Sequence, residues 1–132
     1  MPSEPQYTML LFFKRNPNLT PAEFREYYEA NHAPMVLEIA KTAKGLVCYT
    51  RRYIQHDASD PSHGHPFTVF GQPAPTVPYD IVNEVTFQTR EDAADFSRMM
   101  YETEHATKVL EDENKLFIRD QMRGMIVETL VS

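Results

Sequence analysis

A histidine four residues after a tyrosine, on the aromatic side of an amphipathic segment, is the first feature here that could do chemistry. His32 follows Tyr28 by one helical turn, and Phe24, Tyr27 and Tyr28 fall at i, i+3 and i+4, so the imidazole shares an aromatic face. Met35, Val36, Ile39 and Ala40 continue as a second short apolar stripe. An imidazole so placed can give or take a proton near neutral pH, or cap its own helix. His105 occupies the equivalent place in the second half of the chain, followed by Asp112 and Glu113. It is either a second acid/base or a solvated helix histidine.

Four further side chains fall within one short run: Tyr49, Arg51, Arg52 and Tyr53. Alternation along a strand sends one arginine to each face, so whichever face lines a cavity brings a cation with it. A buried guanidinium would bind a carboxylate or phenolate and stabilise developing negative charge; its alternative is an ion pair with one of the chain's carboxylates. Asn83 and Glu84 sit mid-strand on opposite faces, each a sheet pair or a pocket group. His56, Asp57, Asp60, His63 and His65 invite a metal reading, but their spacing completes no zinc or non-haem iron pattern, so no metal is expected. No phosphate-cradling Gly-rich loop and no Gly-x-Ser-x-Gly elbow is present. Seven Met residues with many Phe and Tyr would suit flat aromatic ligands, and equally fill a core.

Positioning these groups falls to a chain of 132 residues, read as one domain over 1–132 with ordinary apolar and charged fractions. A net charge of -6 argues against nucleic acid. One cysteine, Cys48, excludes an internal disulfide and suits a reducing compartment. No run approaches the roughly 20 apolar residues of a membrane span, and the N-terminus lacks the charged and apolar regions of a signal peptide, so a cytoplasmic location is expected.

Residues 1–6 read as a polar tail. Tyr7–Arg15 is a strand candidate apolar on both faces. Thr20, Pro21 and Glu23 form a helix start with a capping box. Pro34 disfavours helical geometry at Ala33, so the helix should end or kink there. Gly45 terminates the second helical piece. Leu46–His56 is the second strand. The stretch 57–78, with five prolines, is read as a long loop without elements, anchored by Phe67, Val69 and Phe70 and folded over something. Tyr79–Gln88 is the third strand and Thr89 caps a helix whose stripe is Ala93, Phe96, Met99 and Met100. A further helical piece runs from Thr103 to Glu113 and a last strand from Met122 to Val131. The order β-α-β-loop-β-α-β implies an α+β, ferredoxin-like antiparallel sheet with helices on one face. Apolar residues on both faces of the first strand imply cover from a second copy, hence a homodimer whose sheets pack face to face.

Thr-Pro-Ala-Glu-Phe-Arg-Glu-Tyr-Tyr-Glu-Ala-Asn-His-Ala-Pro, followed by Gly-Leu-Val-Cys-Tyr, and later Tyr-Asp-Ile-Val-Asn-Glu-Val-Thr-Phe and Glu-Asp-Glu-Asn-Lys-Leu-Phe-Ile, resembles the EthD-type dimeric α+β barrel family over nearly the whole chain. The family includes accessory proteins of ether degradation and small fungal enzymes that decarboxylate or dehydrate aromatic polyketides without a cofactor. Its helix carries an aromatic residue about four before the histidine, which Tyr28 and His32 match. The resemblance implies a cofactor-independent lyase, a decarboxylase or dehydratase, on an aromatic polyketide-type intermediate of secondary metabolism. His32 would move the proton, with His105 as a second candidate. Tyr28, Tyr49, Arg51, Arg52 and Asn83 would bind substrate. The alternatives are a cyclase or isomerase using the same groups, or a non-enzymatic small-molecule binding protein working with an oxygenase. The loop at 57–78 departs from the family's shorter patterns.

Overall fold

A computed structural model describes residues 5–132. Of the expected tail, residues 1–4 lie outside the described residues; Pro5 and Gln6 are exposed without regular structure.

The four long strands are β1 (Tyr7–Phe13), β2 (Leu46–Tyr53), β7 (Ile81–Phe87) and β8 (Arg123–Val127). They form one sheet in the order β2-β7-β1-β8, antiparallel throughout. This is the ferredoxin-like α+β arrangement expected from the sequence. The β1–β7 register places Met9 opposite Val85, Leu11 opposite Asn83 and Phe13 opposite Ile81. That face receives the helices α1 (Pro21–Tyr27), α2 (Ala33–Ala40), α3 (Arg90–Tyr101) and α4 (Ala106–Leu116). Its core runs from Phe13, Phe24, Tyr28, Leu116 and Phe117 through Val36, Ile39, Met100 and Val109 to Val85, Phe87 and Ala93. On the opposite face Leu10, Phe12 and Val82 are half-buried and Met125 is exposed, while the Thr8 and Thr86 hydroxyls bond at 3.0 Å.

Local chemistry explains the helix starts. Glu23 N–H donates to Thr20 Oγ1 at 3.1 Å and Thr20 N–H donates to the Glu23 carboxylate at 2.9 Å, completing the capping box. Asp92 N–H donates to Thr89 Oγ1 at 3.1 Å. At Pro34 the helical path does not stop. A π-helical turn, Tyr28–His32, joins α1 to α2, and the Ala33 N–H reaches back five residues to the Tyr28 carbonyl. Proline cannot donate an i→i−4 bond and its ring crowds that carbonyl; one wider turn accommodates both. α4 begins at Ala106, three residues later than the expected Thr103.

Two corrections concern the segment after β2. The proline-rich stretch is not without elements. β3 (His56–Asp57) pairs with β4 (Asp60–Gly64), and β5 (Phe67–Val69) pairs with β6 (Gln72–Ala74). Each is a two-stranded ribbon, so every strand is an edge where proline needs no partner for its missing N–H; Pro61 and Pro73 lie within strands for that reason. The second hairpin turns through Phe70 and Gly71, both at positive φ (51° and 77°), the geometry of a two-residue primed turn. Nor do its apolar residues anchor it: Phe67, Val69 and Phe70 are exposed.

Gly45 has φ +80°, and a Cβ there would lie 2.1 Å from Asp92 Oδ2 in the first turn of α3. Gly45→Ala is therefore expected to destabilise the fold by about 1–2 kcal/mol, the cost of a left-handed L-residue, with Asp92 swinging aside; denaturant unfolding measures it.

A candidate active site between sheet and helices

A gap opens in the core beneath the helices. A cavity of about 240 Å3 lies between the helix-facing side of the sheet and the helices of the same chain. Leu11, Tyr49, Asn83 and Val85 form its floor; Tyr28, His32, Phe96, Met100, Tyr101, Glu113 and Phe117 are among its walls. A wider cleft of about 510 Å3 between Thr42, Lys44, Arg98 and Glu102 is lined by exposed or half-buried residues.

The π turn places His32. It carries Tyr28 and His32, both buried, onto the sheet-facing side, with the rings edge to face at 4.8 Å. Phe117 meets the imidazole edge-on at 5.8 Å. Behind His32 stands Asp112 of α4, 2 % exposed. Asp112 Oδ2 lies 3.4 Å from His32 Nδ1, close enough for an ion pair but without a formed hydrogen bond, and neither atom has a hydrogen-bond partner. The other oxygen, Oδ1, accepts from the Tyr27 hydroxyl at 2.8 Å. Burial pushes the His32 pKa below its ordinary value; the Asp112 carboxylate opposes that without reversing it. The imidazole is thus neutral near pH 7. With Nδ1 facing the carboxylate, Nε2 is the nitrogen left to act on a ligand.

Tyr28 has a second role. Its hydroxyl accepts from Asn83 Nδ2 at 2.7 Å and lies 2.9 Å from the Tyr49 hydroxyl. An oxygen that accepts from Asn83 can donate to Tyr49, which frees the Tyr49 proton for the cavity. Burial raises the Tyr28 pKa to about 12 and raises that of Tyr49 too, so both remain hydrogen-bond donors. Asn83 Oδ1 is buried with no partner, an acceptor facing an unfilled need.

Arg51 shares the helix-facing side but not the cavity wall. It makes two hydrogen bonds to Glu29 of the π turn, at 2.6 and 2.8 Å, and its guanidinium sits 4.9 Å from the Tyr49 ring centre. Tyr53 donates to the same carboxylate. Arg52 lies on the other face, 3.5 Å from Glu84. Both arginines are thus in ion pairs with carboxylates of this chain. His105 does not join the cluster either; it stands at the N-cap position of α4 without a side-chain capping bond, half-exposed, 3.9 Å from Glu104. His56 bonds Asp80 at 2.7 Å and His63 bonds Asp60 at 2.7 Å. Among the described residues no three His, Cys, Asp or Glu side chains converge as metal ligands.

Three cavity or near-cavity groups went unassigned from sequence: Asp112, Glu113 and Tyr101. A signal for the first two exists. Val109, Asp112, Glu113 and Leu116 fall at i, i+3, i+4 and i+7, so two acids occupy slots of the buried stripe of α4.

The sequence agrees with this architecture. Residues 16–120 match the model of the EthD domain. The chain belongs to the EthD family. Solved structures of the same fold include an EthD-like protein from Ralstonia eutropha (18% identity, 97% of this chain and 95% of that one, TM-score 0.58). SnoaB, a cofactor-independent oxygenase from Streptomyces nogalater, matches at 9% identity over 98% of this chain and 97% of its own, TM-score 0.55. A dimeric protein of unknown function and ferredoxin-like fold from Bacteroides fragilis matches at 6% identity, over 97% and 100%, TM-score 0.59. At such identities the likeness establishes the fold alone. No curated protein matches the sequence. Among the described residues no helix is long and apolar enough to cross a membrane.

Proposed function

We propose that this EthD protein is a cofactor-independent lyase that removes water from a β-hydroxy ketone of aromatic, polyketide type. The observation that carries the reading is the buried His32–Asp112 pair beside a cavity whose opposite donor is Tyr49. His32 Nε2 takes the proton from the carbon next to the carbonyl. The Tyr49 hydroxyl, supported by Tyr28 and Asn83, donates to the enolate oxygen that results. Tyr28 touches both the imidazole and the Tyr49 hydroxyl, so base and donor flank one ring-sized wall. Apolar walls exclude water and strengthen both interactions.

Dehydration fits this cavity better than decarboxylation. No Lys or Arg lines it among the described residues. A carboxylate substrate would lie buried without a cationic partner, at a cost of several kcal/mol. A neutral ketone avoids that penalty. The accessory-protein reading calls for a cavity without convergent titratable groups, which describes this one poorly. We also place the protein as a homodimer: the half-buried Leu10, Phe12 and Val82 face and the dimeric ferredoxin-like neighbour support it.

The test uses the β-hydroxy ketone adduct of benzaldehyde and acetone, with no metal or nucleotide added. Enzyme-dependent formation of benzalacetone, read by its conjugated absorbance, is expected. Tight binding without turnover would move the binding-protein reading ahead.

A further inference from the structure

The cavity wall holds two titratable side chains that the base and the oxyanion donor do not use, Glu113 and Tyr101. Glu113 follows Asp112 on α4, yet the two point to different tasks. Asp112 stands behind His32, whereas Glu113 lines the cavity and is 6 % exposed. Tyr101 at the end of α3 donates to Glu113 Oε2 at 2.6 Å. Oε1 lies 3.5 Å from Nε of Arg119, a half-exposed side chain outside the cavity wall. Glu113 is thus a buried carboxyl set in the wall of a largely apolar cavity, with one oxygen on a tyrosine hydroxyl and the other in a long ion pair.

We infer that Glu113, steadied by Tyr101, is the acid that protonates the leaving hydroxyl. The inference rests on the proposed dehydration and adds its second proton. Burial raises the Glu113 pKa, with the Tyr101 hydrogen bond and the Arg119 charge opposing, so a carboxylic acid persists to higher pH than in water. The step balances. His32 Nε2 accepts the α-proton, that electron pair becomes the new C=C bond, the β C–O bond breaks, and the departing hydroxyl takes the Glu113 proton as water. The imidazolium then returns one proton to the carboxylate through solvent, and both groups are restored.

Two reactions separate acid from base. Benzylacetone lacks the hydroxyl, so deuterium exchange at its α-carbon needs the base alone. Elimination from the hydroxy ketone needs both. Glu113→Gln keeps the shape and the Tyr101 contact but has no proton to give. It is expected to lower the ratio of elimination to exchange by about 10²-fold, with Glu113→Asp recovering part of it. Tyr101→Phe, which leaves the carboxyl in place, is expected to lower the same ratio less and serves if Glu113→Gln fails to fold. An unchanged ratio in the folded variants overturns the inference, because a merely structural carboxyl would depress both reactions alike. Exchange without elimination by the wild type also overturns it while leaving His32 as a base. A wild type inactive in both overturns the proposed function, and this inference with it.

Discussion

His32→Gln is expected to lower kcat for water elimination by about 10²–10⁴-fold while the chain stays folded, the range for losing a positioned general base. Glutamine fills much of the same space and can face Asp112 with its amide, but no atom of it takes a proton near neutral pH. The reason to expect so large an effect is geometric. The imidazole is 5 % exposed, held edge-on by Tyr28 and Phe117, and backed by Asp112, so no water or other base has access to its place. The pH profile sharpens the test. Neutral His32 is the active form, and burial lowers its pKa below the ordinary histidine value. Activity should therefore persist as pH falls through 6.5 and be lost only below it, as the ring protonates. In the glutamine variant that acid limb should vanish from the residual rate. A variant that turns over like wild type, with an unchanged limb, would make the histidine structural.

The parts of this molecule legible in sequence are those governed by short-range chemistry. Thr20, Pro21 and Glu23 announce a helix start because the capping box needs only residues three apart, and the structure contains both of its bonds. Strand alternation placed Tyr49 and Asn83 on faces that a pocket could use, since side-chain period depends on nothing distant. What stayed hidden depends on long-range placement. Arg51 and Arg52 looked like candidate anion binders because sequence cannot show that Glu29 and Glu84 lie opposite them. The π turn at Tyr28–His32 was expected as a break, because Pro34 signals lost hydrogen bonds but not that a wider turn can replace them. Asp112 and Glu113 were noted only as following His105, although both occupy core slots of α4. Their burial is decided by a cavity and by Tyr27, Tyr101 and His32, none of which is near in sequence. The proline-rich segment misled for a related reason. Prolines forbid central strands, yet two-stranded ribbons have only edges.

Asp112→Asn tests whether α4 sets the proton on His32, and kcat is expected to fall by about 10²–10⁴-fold with little loss of stability. Tyr27 supplies the logic. Its hydroxyl donates to Asp112 Oδ1 at 2.8 Å, so an asparagine there keeps its carbonyl oxygen toward Tyr27. The amide NH₂ then takes the place of Oδ2, 3.4 Å from His32 Nδ1. An N–H facing Nδ1 favours the tautomer with its proton on Nε2, the wrong one for a base. The imidazolium also loses the carboxylate that supports it, so the acid limb should move to lower pH, a shift that a purely structural role would not produce. Stability should change by about 1 kcal/mol or less, because His32 is neutral and losing the carboxylate strands no buried cation. Lys108, at 3.8 Å from Oδ1 and largely exposed, returns to solvent. Full activity in Asp112→Asn would mean that Tyr28 and Phe117 alone orient the ring. A low rate with an unmoved limb would mean that asparagine displaces His32 bodily rather than turning its tautomer.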